Sequence, residues 1–275
     1  MKDAEFEYVT GQGRPTFPAL IGAFEAESDA IARGADACLD LAYGSHSRQR
    51  LDHFPAVPGA RAALVYFHAG YWQSRDKAMF RFIAEPFNHA GLDVVLVNYP
   101  LSPDRKVSEI VQAAAESIAV IVELTGGLPL ILSGHSAGGQ LVTELSMLES
   151  ARARIVGVVG LSGVYDLRPL VGTSLNRALA LDDDDARAAS PILHIGTGLP
   201  PAIFAVGATE TDAFVQQTRL MAELWKSHGN EVQFHCCAGD DHFTILRSFT
   251  DPAHALHRAT LALADGAIKA RVPLI

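Results

Sequence analysis

The run Leu130-Ile131-Leu132-Ser133-Gly134-His135-Ser136-Ala137-Gly138-Gly139 leaves a chain few ways to fold. Its apolar half reads as a buried strand, Leu128 to Leu132, and the residues after Gly139 carry helical spacing to about Ser150. Between them stands G-x-S-x-G, the signature of a sharp strand-to-helix turn. Gly134 and Gly138 let the strand and the helix approach closely and lift the Ser136 hydroxyl out of the backbone. A serine hydroxyl is a weak nucleophile, so it needs such a strained perch and a base beside it. The string alone arises by chance in roughly one chain in ten of this length, given ordinary glycine usage. Its surroundings decide.

Those surroundings are regular. Further apolar runs with strand character lie at Ala63 to Phe67, Val94 to Val97, Ile155 to Leu161, Ala202 to Val206 and Val232 to Cys236. Most are continuous rather than alternating, as parallel strands covered on both faces require. Between them, Lys77 to His89, Val107 to Leu124 and Phe214 to His228 repeat apolar residues at helical spacing. The expected fold class is therefore α/β, with a mostly parallel central sheet flanked by helices. In such sheets the site lies beyond the carboxyl ends of the strands, where Ser136 falls. Three segments stand outside this rhythm: a helix around Ala19 to Ala32 followed by an edge strand at Leu39 to Gly44; Asp166 to Gly198; and a terminal helix from His254 to Ala270. No linker divides the 275 residues, so a single domain spanning 1–275 is expected, with the N-terminal segment 1–38 and the insertion 166–198 as lid or cap elements. The run Asp182 to Asp185 reads as the acidic first turn of a helix continuing through Arg187. A divalent metal site is the sharper alternative, but consecutive aspartates diverge on a helix.

Composition narrows the partners. A net charge of −9 argues against nucleic acid and anionic membranes, and no apolar run is long enough to span a bilayer. The acidic start Met1 to Glu7 is unlike a signal peptide, and three cysteines form neither a disulfide framework nor a metal cluster. Cys236 and Cys237 are adjacent on a strand and point to opposite faces. The expectation is a reduced, cytoplasmic protein with a small-molecule partner and neither cofactor nor metal; a homodimer is compatible with it.

Acyl transfer by serine needs a nucleophile, a histidine base, an acid that orients it, and oxyanion donors. In strand–helix hydrolases these run Ser, then acid, then His along the chain. Of eleven histidines, His242 follows the last strand in Gly239-Asp240-Asp241-His242-Phe243-Thr244 and is the expected base. The acid is Glu210 or Asp212, in the loop after Ala202 to Val206; Asp212 also reads as an N-cap, which favours Glu210. The amides of Gly70, Tyr71 and Ala137 are the expected oxyanion donors. His68 would brace the Gly70 loop, and the His135 ring would pack sideways. Trp72 is either core or the wall of an aromatic pocket. His68, Trp72, His135 and Phe243 are the residues expected nearest the substrate.

Four stretches together resemble the α/β-hydrolase superfamily and, within it, the kynurenine formamidase (arylformamidase) and related esterase group. His68-Ala69-Gly70-Tyr71-Trp72 is similar to the family's H-G-G-Y-W loop, and Gly134 to Gly138 to its elbow. Leu161 to Leu167 resembles its post-strand segment, and Asp241-His242-Phe243 its base loop; the likeness runs from about residue 40 to 250. It implies an α/β-hydrolase fold and a cofactor-independent serine hydrolase cleaving an N-formyl or N-acyl arylamine or a related small acyl bond. Alternatives are a carboxylesterase or thioesterase on small acyl groups and, from another class, a non-catalytic ligand-binding protein. Two departures stand out: Ala69 where the family usually has glycine, and Glu210 where it generally has aspartate.

Overall fold

Apolar runs that never alternate need cover on both sides, and an eight-stranded sheet supplies it. In a computed structural model of the chain, residues 3–34 and 36–271 are described. Met1 and Lys2 of the acidic N-terminus lie outside the described residues. The strands are β1 (Cys38–Ala42), β2 (Arg50–Phe54), β3 (Ala62–Phe67), β4 (Leu92–Val97), β5 (Leu130–His135), β6 (Ile155–Leu161), β7 (Ala202–Gly207) and β8 (Val232–Cys237). They lie in the order β1-β2-β4-β3-β5-β6-β7-β8. β1 and β2, and β2 and β4, pair antiparallel; every other pair is parallel.

The pleat sends successive residues of one run to two cores. From β3, Ala63, Val65 and Phe67 enter the core beneath the helices Val107–Leu124, Ala137–Met147 and Asp212–Ser227, whereas Ala62, Leu64 and Tyr66 enter the other. That second core is closed by Phe17–Gly34, by Ala84–His89 and by the terminal helix Ala255–Arg271. Among the described residues no helix is long and apolar enough to cross a membrane.

Three sequence readings change. β2 was not expected to be a strand, because Arg50-Leu51-Asp52-His53-Phe54 carries polar residues that become buried. Asp52 is fully buried and accepts from the Lys77 ammonium at 2.8 Å, the Arg81 guanidinium at 2.7 Å and the Asp40 amide at 2.8 Å. His53 meets Asp93 of β4 at 3.0 Å. The continuous helix expected over Lys77 to His89 is a tighter 3₁₀ segment, Lys77–Ile83, followed by an α-helix, Ala84–His89. Pro86 provides the reason, since its ring would clash with the carbonyl one turn back in an α-helix running through it. The elbow helix starts at Ala137 and is interrupted at Leu148 before a short turn, Glu149–Arg152.

The insertion consists of short helical pieces whose leucines and alanines sink into the core around Leu170, Leu179, Ala186 and Ile192. The four aspartates open the helix Asp183–Ala188, with Asp182 as N-cap accepting from the Asp185 amide at 2.7 Å. All three cysteines are free.

The buried charges around β2 generate a stability prediction. Asp52→Ala leaves Lys77 and Arg81 without their shared partner, which costs about 3–5 kcal/mol when a buried ion pair is broken from one side. Urea unfolding of the variant against the parent chain measures it.

Candidate active site

The site begins where two backbones touch. A side chain on Gly134 would place its Cβ 2.1 Å from the Gly138 carbonyl oxygen, and one on Gly138 would come 2.0 Å from that of Phe67. Only glycine permits this approach, which presses the helix from Ala137 onto β3 and β5. The turn between them holds Ser136 at φ 57°, ψ −115°, a conformation a non-glycine residue rarely adopts. Its amide is tied to the Leu161 carbonyl at 2.8 Å, and its own carbonyl receives the Gly139 amide at 2.9 Å. Ser136 Oγ makes no hydrogen bond among the described residues; the residue lines a cavity of about 220 Å³.

Glu210 and His242 meet at that cavity. The carboxylate of Glu210 accepts from the His242 ring Nδ1 at 2.7 Å, from Ser162 Oγ at 2.5 Å and from the Gly207 amide at 2.8 Å. The side chain is wholly buried. Its length lets it fold back over the end of β7, reaching Gly207 and Ser162 with one oxygen and the imidazole with the other. The loop carrying His242 is equally fixed. Asp241 Oδ1 accepts the amides of Phe243 and Thr244, each at 2.9 Å, and the buried His135 Nε2 contacts the His242 carbonyl at 2.6 Å. With Nδ1 engaged by Glu210, His242 keeps Nε2 without a partner among the described residues, and the residue lines the same cavity as Ser136.

Asp212 is elsewhere. It is the first residue of the helix Asp212–Ser227, exposed, with Thr211 rather than Asp212 at the N-cap position. The helix begins two residues ahead of the expected Phe214, and Glu7 of the N-terminal segment accepts the Ala213 amide at 2.8 Å in place of a local cap.

Gly70, Tyr71 and Ala137 are brought together beside Ser136. Gly70 has φ 130° and Tyr71 φ 50°, so the chain curls, and no backbone acceptor takes the Gly70 or Tyr71 amide among the described residues. A Cβ on Gly70 would lie 2.2 Å from the Ser74 carbonyl oxygen. Ala137 is the first residue of its helix, where an amide has no partner one turn back.

Three of the four residues expected near substrate are not at the cavity. Trp72 is buried in the core, its indole N–H donating to Gln140 at 3.2 Å. His68 is fully buried, stacked on Tyr99 with ring centres 4.3 Å apart and tied through Nδ1 to the Ala69 carbonyl at 2.7 Å. Burial drives its pKa down to about 4, and pushes that of His135 well down too. Both rings are braces beneath the site; Phe243 alone of the four lines the cavity.

The remaining wall is formed by Tyr8, Val9, Gln12, Gly13 and Phe17 of the N-terminal segment, with Ala69, Ser74 and Arg75. No residue of Asp166 to Gly198 lines it. The N-terminal stretch is fastened to the loop that holds Glu210: Thr211 donates to the Glu7 carbonyl at 2.6 Å, Gln12 to Thr211 at 2.9 Å and Arg14 to the Thr209 carbonyl at 2.7 Å. Tyr71 donates to the Tyr8 carbonyl. The insertion supports this stretch from behind, where Ser174 donates to Glu5 through its hydroxyl at 2.6 Å and its amide at 2.8 Å. Sequence reasoning missed these lining residues and Ser162. Ser162 had a signal, since it ends the strand next to β5 at its carboxyl edge; Phe17 and Arg75 had none.

Residues 64–246 match the model of a family described as the α/β-hydrolase fold. Kynurenine formamidase of Danio rerio is 26% identical over 257 residues, covering 89% of this chain and 88% of that protein. Kynurenine formamidase of Drosophila melanogaster is 30% identical over 224 residues, covering 75% and 74%. A crystal structure from a Silicibacter species, provisionally described as a thioesterase, aligns with TM-score 0.85 and 28% identity over 96% of this chain and 99% of that one. An esterase of Pyrobaculum calidifontis shares the fold at TM-score 0.71 and 20% identity, over 94% and 96%.

Two predictions follow from the packing. Gly138→Ala collides with backbone that cannot withdraw, so the variant loses soluble folded protein, or folds with the Ser136 turn displaced; circular dichroism and the thermal midpoint read this. His68 binds its proton more weakly folded than unfolded, where its ordinary value is 6.5. Its contribution to stability is therefore full above that value and is lost as pH falls toward about 4. Urea unfolding at about pH 7.5 and about pH 5 shows the loss, and His68→Phe, which keeps the stacking without the proton, recovers about 2 kcal/mol of it.

Proposed function

The chain belongs to the α/β-hydrolase-fold family as an arylformamidase-like amide or ester hydrolase of the serine-hydrolase type, and from that premise we propose that Ser136, His242 and Glu210 are its catalytic triad. The observation that carries the assignment is the His242 ring, held at Nδ1 by Glu210 with Nε2 open on the wall it shares with Ser136.

Ser136 Oγ attacks the carbonyl carbon of the substrate while His242 Nε2 takes the hydroxyl proton. Glu210, fixed by Ser162 and Gly207, holds the ring in this tautomer and stabilises the imidazolium that forms. The amides of Gly70, Tyr71 and Ala137 receive the negative charge on the tetrahedral oxygen. The imidazolium then gives its proton to the leaving amine or alcohol. Water enters, loses a proton to the same nitrogen and attacks the acyl-enzyme, and Ser136 recovers its proton as the acid product leaves. No metal or redox group enters any step.

The substrate class we propose is an N-formyl or small N-acyl arylamine. The cavity is small against the usual ligand-pocket range of roughly 300–1,000 Å³, and Tyr8, Phe17, Tyr71 and Phe243 offer aromatic walls to a ring. The relatives named kynurenine formamidase support the same class. A small-acyl ester or thioester is the second reading, supported by the Silicibacter structure described as a thioesterase. We also assign the covering role to the N-terminal segment, with the insertion as its buttress, in one cytoplasmic catalytic domain.

Ser136→Ala is expected to abolish both turnover and covalent labelling by a fluorophosphonate; labelling that persists sinks the nucleophile. Glu210→Gln is expected to lower kcat by on the order of 10⁴, as loss of the orienting acid does in other triads, whereas Asp212→Asn changes it by less than about threefold. Comparing N-formyl anilides with p-nitrophenyl esters and acyl thioesters separates the two substrate readings. Tight binding of an intact ligand without any burst of labelling would instead mark a non-catalytic binding protein.

A further inference from the structure

Among the described residues that line the cavity, Arg75 is the one side chain with a permanent charge. Its guanidinium carbon lies 5.5 Å from the centre of the Phe17 ring and 5.2 Å from that of Phe243, and those two rings pack 4.3 Å apart. The rings engage the group through their faces, which leaves the five N–H donors of the guanidinium plane to find acceptors. Among the described residues they find none; Tyr66 and Glu25 act on it only through space. Three other arginines meet carboxylates directly: Arg81 with Asp52, Arg168 with Asp166, Arg247 with Glu27. Burial also works against the charge of Arg75 and lowers its pKa from the ordinary guanidinium value.

The position is built rather than incidental. Arg75 has φ 74°, and its carbonyl accepts from the Arg48 guanidinium at 2.8 Å. The neighbouring carboxylate, Asp76, faces away: it takes the Asn98 amide group at 2.6 Å and caps the Ala78 amide at 3.0 Å. A strained backbone therefore holds a cation in an aromatic cleft, while the carboxylate next to it in sequence is engaged elsewhere.

Its place relative to His242 says which part of a substrate it meets. The leaving atom must sit at His242 Nε2 to be protonated. Phe243 follows directly, its ring centre 5.1 Å from that of His242, and Arg75 lies over that ring. We propose that Arg75 is a specificity residue that binds a carboxylate carried on the leaving group, so that the protein selects anionic aryl amides or esters over neutral ones. The acceptor that best fits a planar fork is a planar carboxylate, bound through two parallel N–H bonds. This deepens the proposed function, since its orientation rests on His242 acting as the acid that releases the leaving group.

The test uses the full chain and an isosteric pair, meta-hydroxybenzoate and meta-hydroxybenzamide, with their acetate esters. Calorimetric titration is expected to show the benzoate bound roughly tenfold or more tightly than the benzamide. Arg75→Gln should bring that ratio close to one, and Arg75→Lys should keep part of it. In turnover, the kcat/KM preference for the charged ester should collapse in Arg75→Gln through KM rather than kcat. Equal affinity for the pair in the parent chain overturns the proposal, as does a preference that survives Arg75→Gln in protein with an unchanged thermal midpoint. If Arg75→Gln does not fold, a parent preference lost in Arg75→Lys overturns it and one retained supports it. The titration is repeated on Ser136→Ala. Discrimination there without turnover of either ester in the parent chain supports the carboxylate site while refuting the triad assignment.

Discussion

At the end of β5 two pieces of backbone touch with no side chain between them, and the site depends on that contact. Gly134 meets the Gly138 carbonyl and Gly138 meets that of Phe67, at separations a Cβ could not tolerate. The contact forces the sharp turn that puts Ser136 in a left-handed conformation, and it brings the free helix amide of Ala137 beside the curled Gly70 loop. The strain at Ser136 is held by ordinary bonds on either side: its amide to Leu161 of the next strand and its carbonyl to the following helix. A strained residue persists where its surroundings over-determine it, and here they do.

The second hub is the Glu210 carboxylate. One side chain joins the end of β7 through Gly207, the end of β6 through Ser162 and the loop after β8 through His242. Three parallel strands are thus tied at their carboxyl ends by a single acid, and a glutamate reaches all three because its extra methylene lets it fold back on its own strand. His135, although it precedes Ser136 in sequence, serves the same loop by fixing the His242 carbonyl. Buried histidines brace the site from beneath, and Arg75 is the charged residue of its wall.

Most strands could be read from composition alone, because a parallel strand covered on both faces must be continuously apolar; Ile155–Leu161 begins and ends where the run does. β2 could not. Its Asp52 and His53 look like surface residues until Lys77, Arg81 and Asp93, all at least 24 positions away in sequence, arrive to satisfy them. His242 and Glu210 were legible because loops after strands have fixed roles in a parallel sheet. Trp72, His68 and His135 lie away from the cavity for one common reason: their neighbours in sequence face it, but a curled or strained backbone turns successive side chains in opposite directions, which leaves Trp72 as core and His68 and His135 as the bracing and sideways-packed rings the sequence also allowed.

The sequence by itself determined the alternation of strands and helices, the glycine contact at the elbow and the placing of Ser136, Glu210 and His242 after successive strands. Those follow from local rules: hydrophobic period, the absence of a Cβ, and the position of a residue at a strand end. Only the tertiary structure decided what surrounds the cavity. The cavity wall comes from Tyr8 to Phe17, from Arg75 and from Phe243, segments separated by most of the chain and bound to one another through long-range hydrogen bonds and ring contacts. That the cavity's arginine meets no carboxylate among the described residues is likewise a property of the assembled fold, because pairing depends on where the neighbouring acids finally point.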